Sequence, residues 1–229
     1  MARRSKKSVF NQISDNHLKL KSVGPITDNQ TKVFQSDKHM VLHGLAGTGK
    51  TYISCYLAYE SMFAGDSERL VIIRSAVPTR DMGFLPGTDK EKSAVYEEPY
   101  KDIAVELFGR GDAYEILKSK RLVHFMTTSF IRGVTLKDAY IIVDECQNMS
   151  FHELDSIITR VGENCRLVFC GDFRQSDLTK QSEKDGMRKF LDILSQMDYF
   201  DFVDFGVDDI VRSDFVKNYI VTKNKIGVY

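Results

Sequence analysis

The chain has 229 residues, 42% of them hydrophobic and 28% charged, proportions that support a packed core and exclude wholesale disorder or low-complexity structure. Lys and Arg together number 32, as do Asp and Glu, so bulk charge does not make the chain a polyanion binder and any nucleic-acid contact must come from local charge. No apolar run approaches the roughly 20 residues of a spanning helix, so no membrane partner is expected.

At this length one large domain with a modest appendage is expected. Residues 1–25 read as the appendage: Arg3, Arg4, Lys6, Lys7, Lys19 and Lys21 face only Asp15, with little hydrophobic periodicity. Such a basic flexible arm is either a nucleic-acid contact or a solvated terminus. Residues 26–229 form the single domain. Within it, short apolar runs predict strands at Met40–His43, Leu70–Arg74, Leu122–Phe125, Tyr140–Val143 and Arg166–Cys170. They are nearly continuous in Val, Ile and Leu, as strands buried on both faces are. A helix is predicted from Lys50 to Ala64, with Gly65 as its stop. The segment 82–111, with its prolines and glycines, reads as an insertion holding a helix at Ala94–Phe108. Ser150 and Glu153 form a capping box before Leu154, Ile157 and Ile158, and Gly162 would end that helix. A helix near Met187–Gln196, a strand near Phe200–Phe205 and a terminal helix from Ser213 complete the chain. Strands alternating with helices predict an α/β fold with a mainly parallel sheet flanked by helices.

The cysteines, Cys55, Cys146, Cys165 and Cys170, form no Cys-x-x-Cys pair, and no histidine stands at ligand spacing to them. A reduced, cytoplasmic protein without structural zinc is expected. Chemistry concentrates instead at Gly44-Leu45-Ala46-Gly47-Thr48-Gly49-Lys50-Thr51, which satisfies GxxxxGK[ST] between a predicted strand and a predicted helix. Glycines bring backbone N–H groups onto phosphates, Lys50 would reach the β/γ-phosphates, and Thr51 would bind Mg²⁺. The strand Tyr140–Val143 delivers Asp144 and Glu145 to the sheet edge where ligands of open α/β sheets bind. Asp144 is placed to hold Mg²⁺, and Glu145 to orient and activate the attacking water. Gln175, after the next strand, reads either as a sensor of the γ-phosphate or as part of a polar turn.

Together, Ile26–Gln30, Gly44–Thr51, Val143–Asn148 and Gly171-Asp172 with Gln175 resemble the first RecA-like motor domain of superfamily 1 helicases. Gly83–Gly87 and Phe130–Leu136 narrow the likeness to the PhoH-like family of bacterial and phage proteins. The resemblance implies a three-layer P-loop NTPase with a RecA-like sheet. It further implies that Gln30 contacts adenine and that Arg74, Thr128 and Arg132 face nucleic acid, the alternative for these three being structural hydrogen bonds or solvated charge. It makes Arg212 a candidate arginine finger, the alternative being a surface salt bridge. Residues 176–229 are too few for a second motor domain, so the finger would come from a neighbouring subunit, which implies a homo-oligomer such as a ring. Cys146 stands where the family usually has a small residue such as alanine.

These features point to a cytoplasmic, Mg²⁺-dependent ATPase acting on RNA or single-stranded DNA. Two other classes are a nucleotide-gated interaction module with little turnover and a small-molecule kinase. The second would need an arginine-bearing lid, and segment 82–111 carries only Arg110.

Overall fold

Strand residues that alternate in side-chain direction need cover on both faces when both sets are apolar. In β1 (His39–Gly44), Met40 and Leu42 join one core and Val41 the other. The same division separates Leu70 and Ile72 from Val71 and Ile73 in β2 (Arg69–Arg74), and Tyr140 and Ile142 from Ile141 and Val143 in β4 (Ala139–Asp144). With β3 (Val123–Thr127), β5 (Arg166–Gly171) and β6 (Phe200–Phe205) they form one six-stranded sheet in the order β3-β2-β4-β5-β1-β6, every pair parallel. The structure, a computed structural model, describes residues 18–75, 89–131, 133–173 and 181–227.

The first core is covered by α1 (Asp28–Gln35), α2 (Lys50–Ala64), α3 (Asp89–Phe108) and α4 (Ala113–Ser119), through residues such as Val33, Tyr59, Tyr100 and Leu117. The second is covered by α5 (Phe151–Ile158) and α6 (Gln181–Ser195), through Leu154, Ile157, Met187 and Phe190. A last helix, α7 (Asp214–Lys225), has no buried residue. The three-layer α/β architecture expected from the sequence is therefore the observed one.

Several boundaries move. Leu18 is buried, Leu20 and Val23 pack against the first core, and the Lys21 N–H donates to the Leu107 carbonyl at 2.9 Å, so residues 18–23 belong to the domain rather than to a free arm. Their apolar side chains alternate with lysines, which hides the contact in a charge count. α3 forms part of the first core through Ala104, Leu107 and Phe108, so the helical part of the expected insertion is the crossover that joins β2 to β3. α5 stops at Ile158 with Thr159 as its cap, and Gly162 lies beyond it with its N–H on the Leu136 carbonyl. α6 begins six residues earlier than the apolar stripe from Met187 indicates, because Gln181–Gly186 is polar.

The capping box at α5 is formed as expected. Ser150 Oγ accepts from the Glu153 N–H, and Glu153 Oε2 accepts from the Ser150 N–H at 2.8 Å. Replacing Ser150 with Ala should lower stability by about 1 kcal/mol, seen as an earlier urea midpoint with an unchanged slope. An unchanged midpoint would show that α5 is held by Leu154 and Ile157 alone.

Candidate functional site

Parallel pairing carries the C-terminal ends of β1, β2, β4 and β5 to one edge of the sheet. Arg74 stands opposite Asp144 in register, and His43 opposite Gly171. Gly44 closes β1 with φ 127°, and a Cβ there would stand 2.1 Å from the Phe205 carbonyl oxygen, so the position takes glycine alone. The Leu45 N–H donates to that same oxygen at 3.1 Å, tying the loop's first turn to β6. Leu45, Ala46, Gly47 and Thr48 then turn the chain, and Gly49 caps α2 in the left-handed conformation.

Lys50 opens α2 and folds back into this loop. Its ammonium donates to the Gly44 and Leu45 carbonyls, both at 2.8 Å, and to Thr48 Oγ1 at 3.3 Å. Burial holds its pKa below the ordinary value, against the pull of Cys170, Asp172, Asp144 and Glu145. One residue on, Thr51 Oγ1 donates to Asp144 Oδ1 at 2.9 Å. Asp144 is 5% exposed. Burial first, and then the charge of Glu145, raise its pKa; bonds from Tyr100 and Thr51 and the charge of Arg74 act the other way. A hydroxyl and a carboxylate meeting at the phosphate loop form the hard oxygen set that Mg²⁺ takes, with waters and substrate phosphates supplying the rest. Among the described residues no cluster of three or more His, Cys, Asp or Glu would hold a metal by itself.

Glu145 leaves β4 in a left-handed conformation, φ 52° and ψ 37°, a strain of order 1 kcal/mol for a residue with a side chain. Its Oε2 accepts from Gln147 Nε2 at 2.6 Å, while Gln147 Oε1 accepts from the Asp172 N–H at 3.2 Å. Gln147 thus ties the carboxylate to the end of β5. The turn passes so close that a Cβ on Gly171 would stand 2.7 Å from Gln147 Oε1 and 2.8 Å from Cys146 Sγ. Cys146, the departure from the family's small residue, is buried against that glycine.

The residues carried over from the resemblance fall in different places. Gln30 is 3% exposed, its Nε2 donating to the Thr48 carbonyl at 3.2 Å and its Oε1 accepting from the Ile26 N–H at 2.9 Å, so it braces the loop from behind. Arg74 lies with its Cζ 5.6 Å from the centre of the Tyr96 ring. Thr128 is buried and its hydroxyl donates to Glu153 Oε1 at 2.6 Å, inside the capping network of α5. Arg212 is exposed beside its own chain's loop: its Cγ is 2.9 Å from where a Cβ of Gly47 would stand, and the Val211 N–H donates to the Gly47 carbonyl at 3.0 Å. Gln175 and Arg132 lie outside the described residues. Of the aromatic residues able to stack on bases, Phe173 is stacked on His43, whereas Phe130 is 56% exposed in the turn after β3.

Two residues of this edge carry no sequence signal for their roles. Gln147 lies within Val143–Asn148, two residues after Glu145, yet only the fold shows that its amide joins Glu145 to the Asp172 N–H beyond β5. Tyr100 comes from α3, and its hydroxyl donates to Asp144 Oδ2 at 2.7 Å. Its spacing along the helix announces a core residue and nothing more.

A profile of the family described as PhoH-like protein matches residues 22–223. The chain is 32% identical over 183 residues to a PhoH-like protein of Bacillus subtilis, covering 80% of this chain and 57% of that one. It is 32% identical over 184 residues to Protein PhoH of Escherichia coli, covering 80% and 52%. The chain therefore spans little more than half the length of these curated relatives. Among solved structures, the large terminase of a thermophilic bacteriophage is similar in fold, with a TM-score of 0.54 at 16% identity, covering 86% of this chain and 50% of that one. Another crystal form of that terminase, in complex with ADP, gives 0.52 at 17% identity over 85% and 49%. With the profile matching residues 22–223, and with a GxxxxGK[ST] loop that meets Asp144 at one edge of a parallel sheet, the chain belongs to the PhoH-like family.

Proposed function

We propose that the chain is a Mg²⁺-dependent ATP hydrolase, cytoplasmic, whose turnover is coupled to RNA or single-stranded DNA. The observation that carries this reading is the Thr51–Asp144 contact beside Lys50, with Glu145 held one residue further on by Gln147. ATP phosphates would draw the Lys50 ammonium from the Gly44 and Leu45 carbonyls, exchanging neutral acceptors for charged ones. Mg²⁺, held by Thr51 and Asp144, would supply charge neutralisation at the β- and γ-oxygens. Glu145 would accept the proton of the attacking water, and Gln175 would sense the γ-phosphate. Adenine selection by Gln30 would use the same amide that bridges the Ile26 N–H and the Thr48 carbonyl, so base recognition and loop shape would share one side chain. The terminase of similar fold solved with ADP supports nucleotide binding.

Arg74 and Arg132 are the proposed phosphate contacts for the polynucleotide, with exposed Phe130 offering a face for a base. Thr128 is assigned instead to holding the turn, because its hydroxyl is already given to Glu153. Arg212, lying on its own Gly47, favours charge stabilisation within one chain over donation to a neighbour. Assembly into a homo-oligomer is a separate proposal, tested by light scattering with and without nucleotide.

A second reading has its own observation. α7 starts beside Arg212 at the loop and leaves Phe215 82% and Tyr219 64% exposed, a surface that nucleotide could gate for a protein partner. Phosphate release from ATP, with and without poly-U RNA and single-stranded DNA, separates the two. Stimulation of several-fold, falling with Arg74→Ala, is expected. Tight ATP binding with negligible release under all conditions would replace the hydrolase with the gated module.

A further inference from the structure

Asp144 has a second grip on it that the phosphate loop does not supply. Oδ1 accepts from Thr51, and Oδ2 accepts from Tyr100. Two bonds on different oxygens fix the rotation of the carboxylate, and each oxygen keeps a lone pair for a ligand. Tyr100 is 1% exposed and packs against Phe125 of β3, with ring centres 5.8 Å apart. It has little freedom to follow Asp144 elsewhere.

Tyr96 lies one turn back on the same face of α3, and Arg74 rests over its ring. Arg74 ends β2 directly opposite Asp144. Between them on α3, buried Glu97 accepts from Tyr114 Oη and from Lys118 Nζ at 2.7 Å, which pins this turn of the helix to α4. Pro99 breaks the helix's hydrogen-bond ladder between the two tyrosines. A short, pinned stretch of one helix therefore touches both the metal-holding carboxylate and the arginine of the polynucleotide face.

We propose that Tyr100 is a positioning residue for Asp144, and that the Tyr96–Tyr100 turn of α3 links Arg74 to the metal-holding carboxylate. The inference rests on the Mg²⁺-dependent, polynucleotide-coupled reading above. Polynucleotide phosphates drawing on Arg74 would load or release its contact with Tyr96, and the same turn would carry that change to the Tyr100 hydroxyl. This assigns the β2–β3 crossover a part in coupling as well as in the core.

The test is titration of N-methylanthraniloyl-ADP fluorescence with and without Mg²⁺, which reads metal coupling apart from turnover. In the unsubstituted protein Mg²⁺ should tighten binding. In Tyr100→Phe that gain should shrink about tenfold, the scale of one hydrogen bond to a charged group, while Mg²⁺-free affinity and the melting temperature change little. Tyr96→Leu should keep the full Mg²⁺ gain and lose most of the poly-U stimulation of phosphate release. A Tyr100→Phe protein with the full Mg²⁺ gain overturns the positioning role, and Tyr96→Leu with full stimulation overturns the link. If the unsubstituted protein shows no Mg²⁺ gain, the metal-dependent reading itself fails and takes the positioning role with it. If poly-U does not stimulate it, the polynucleotide reading fails and takes the link with it, while the Mg²⁺ comparison still decides Tyr100.

Discussion

Replacing Glu145 with Gln should lower ATP turnover by about 10²–10⁴-fold and leave ATP affinity within a few-fold. The substitution is nearly isosteric, and an amide oxygen at 145 still accepts from Gln147 Nε2, now 2.6 Å from the carboxylate. Position is thus kept while the capacity to take a proton is lost. The proposed phosphate contacts are Lys50 and Thr51 at the start of α2, and Glu145 bonds neither of them. Single-turnover phosphate release, set beside equilibrium binding of a fluorescent nucleotide, separates the two effects. Turnover within tenfold of the unsubstituted protein would move water activation to another group at the strand ends.

The left-handed backbone of Glu145 gives a second reason to look there. A side chain at φ 52° is held against its own preference; the Glu145 carbonyl accepts from the Asn148 N–H at 3.1 Å, and its carboxylate is tied through Gln147 to the Asp172 N–H. Asp144 is bonded to Thr51 and Tyr100 whereas Glu145 is bonded to Gln147, so the two adjacent carboxylates have separate partners.

Much of this edge is legible in the sequence. The phosphate loop is a local motif whose glycines, lysine and threonine stand at fixed spacing, although the contacts of Gly44 with Phe205 and of Thr51 with Asp144 reach distant segments. The strands are legible because all six residues of β4 are buried, which demands an uninterrupted apolar run up to Asp144. What the sequence conceals depends on contacts between distant segments. Tyr100 acts on Asp144 from a helix 44 residues earlier in the chain. α1 buries only Gln30 and Val33, too few for an amphipathic stripe, although Thr27 caps it. Leu18 and Val23 are masked by the lysines between them. Arg212 carries a position the sequence does not announce: it lies beside the loop of its own chain, where the Val211 N–H donates to the Gly47 carbonyl.

Lys50→Met should weaken nucleotide binding sharply yet leave the protein at least as stable at neutral pH. Removing a charge-assisted contact to phosphate costs of the order of 2–5 kcal/mol, or roughly 30- to 4,000-fold in affinity. Stability follows the other sign. Burial holds the Lys50 pKa below its ordinary 10.5, even with Asp172, Asp144 and Glu145 drawing it up. A lysine whose pKa is lower in the folded chain is less protonated there than in the unfolded chain between the two values, so stability rises with pH across that window. Below the window the folded chain bears the full cost of burying the charge, and a methionine of similar length removes it. Chemical denaturation from neutral pH up to the ordinary lysine value of 10.5 should therefore show the unsubstituted protein gaining stability relative to Lys50→Met as pH rises. A substituted protein that is clearly less stable at neutral pH would mean that the ammonium's bonds to the Gly44 and Leu45 carbonyls outweigh its desolvation. The loop would then be held together by the same charge that binds phosphate, rather than by Gly44, Thr48 and Gln30.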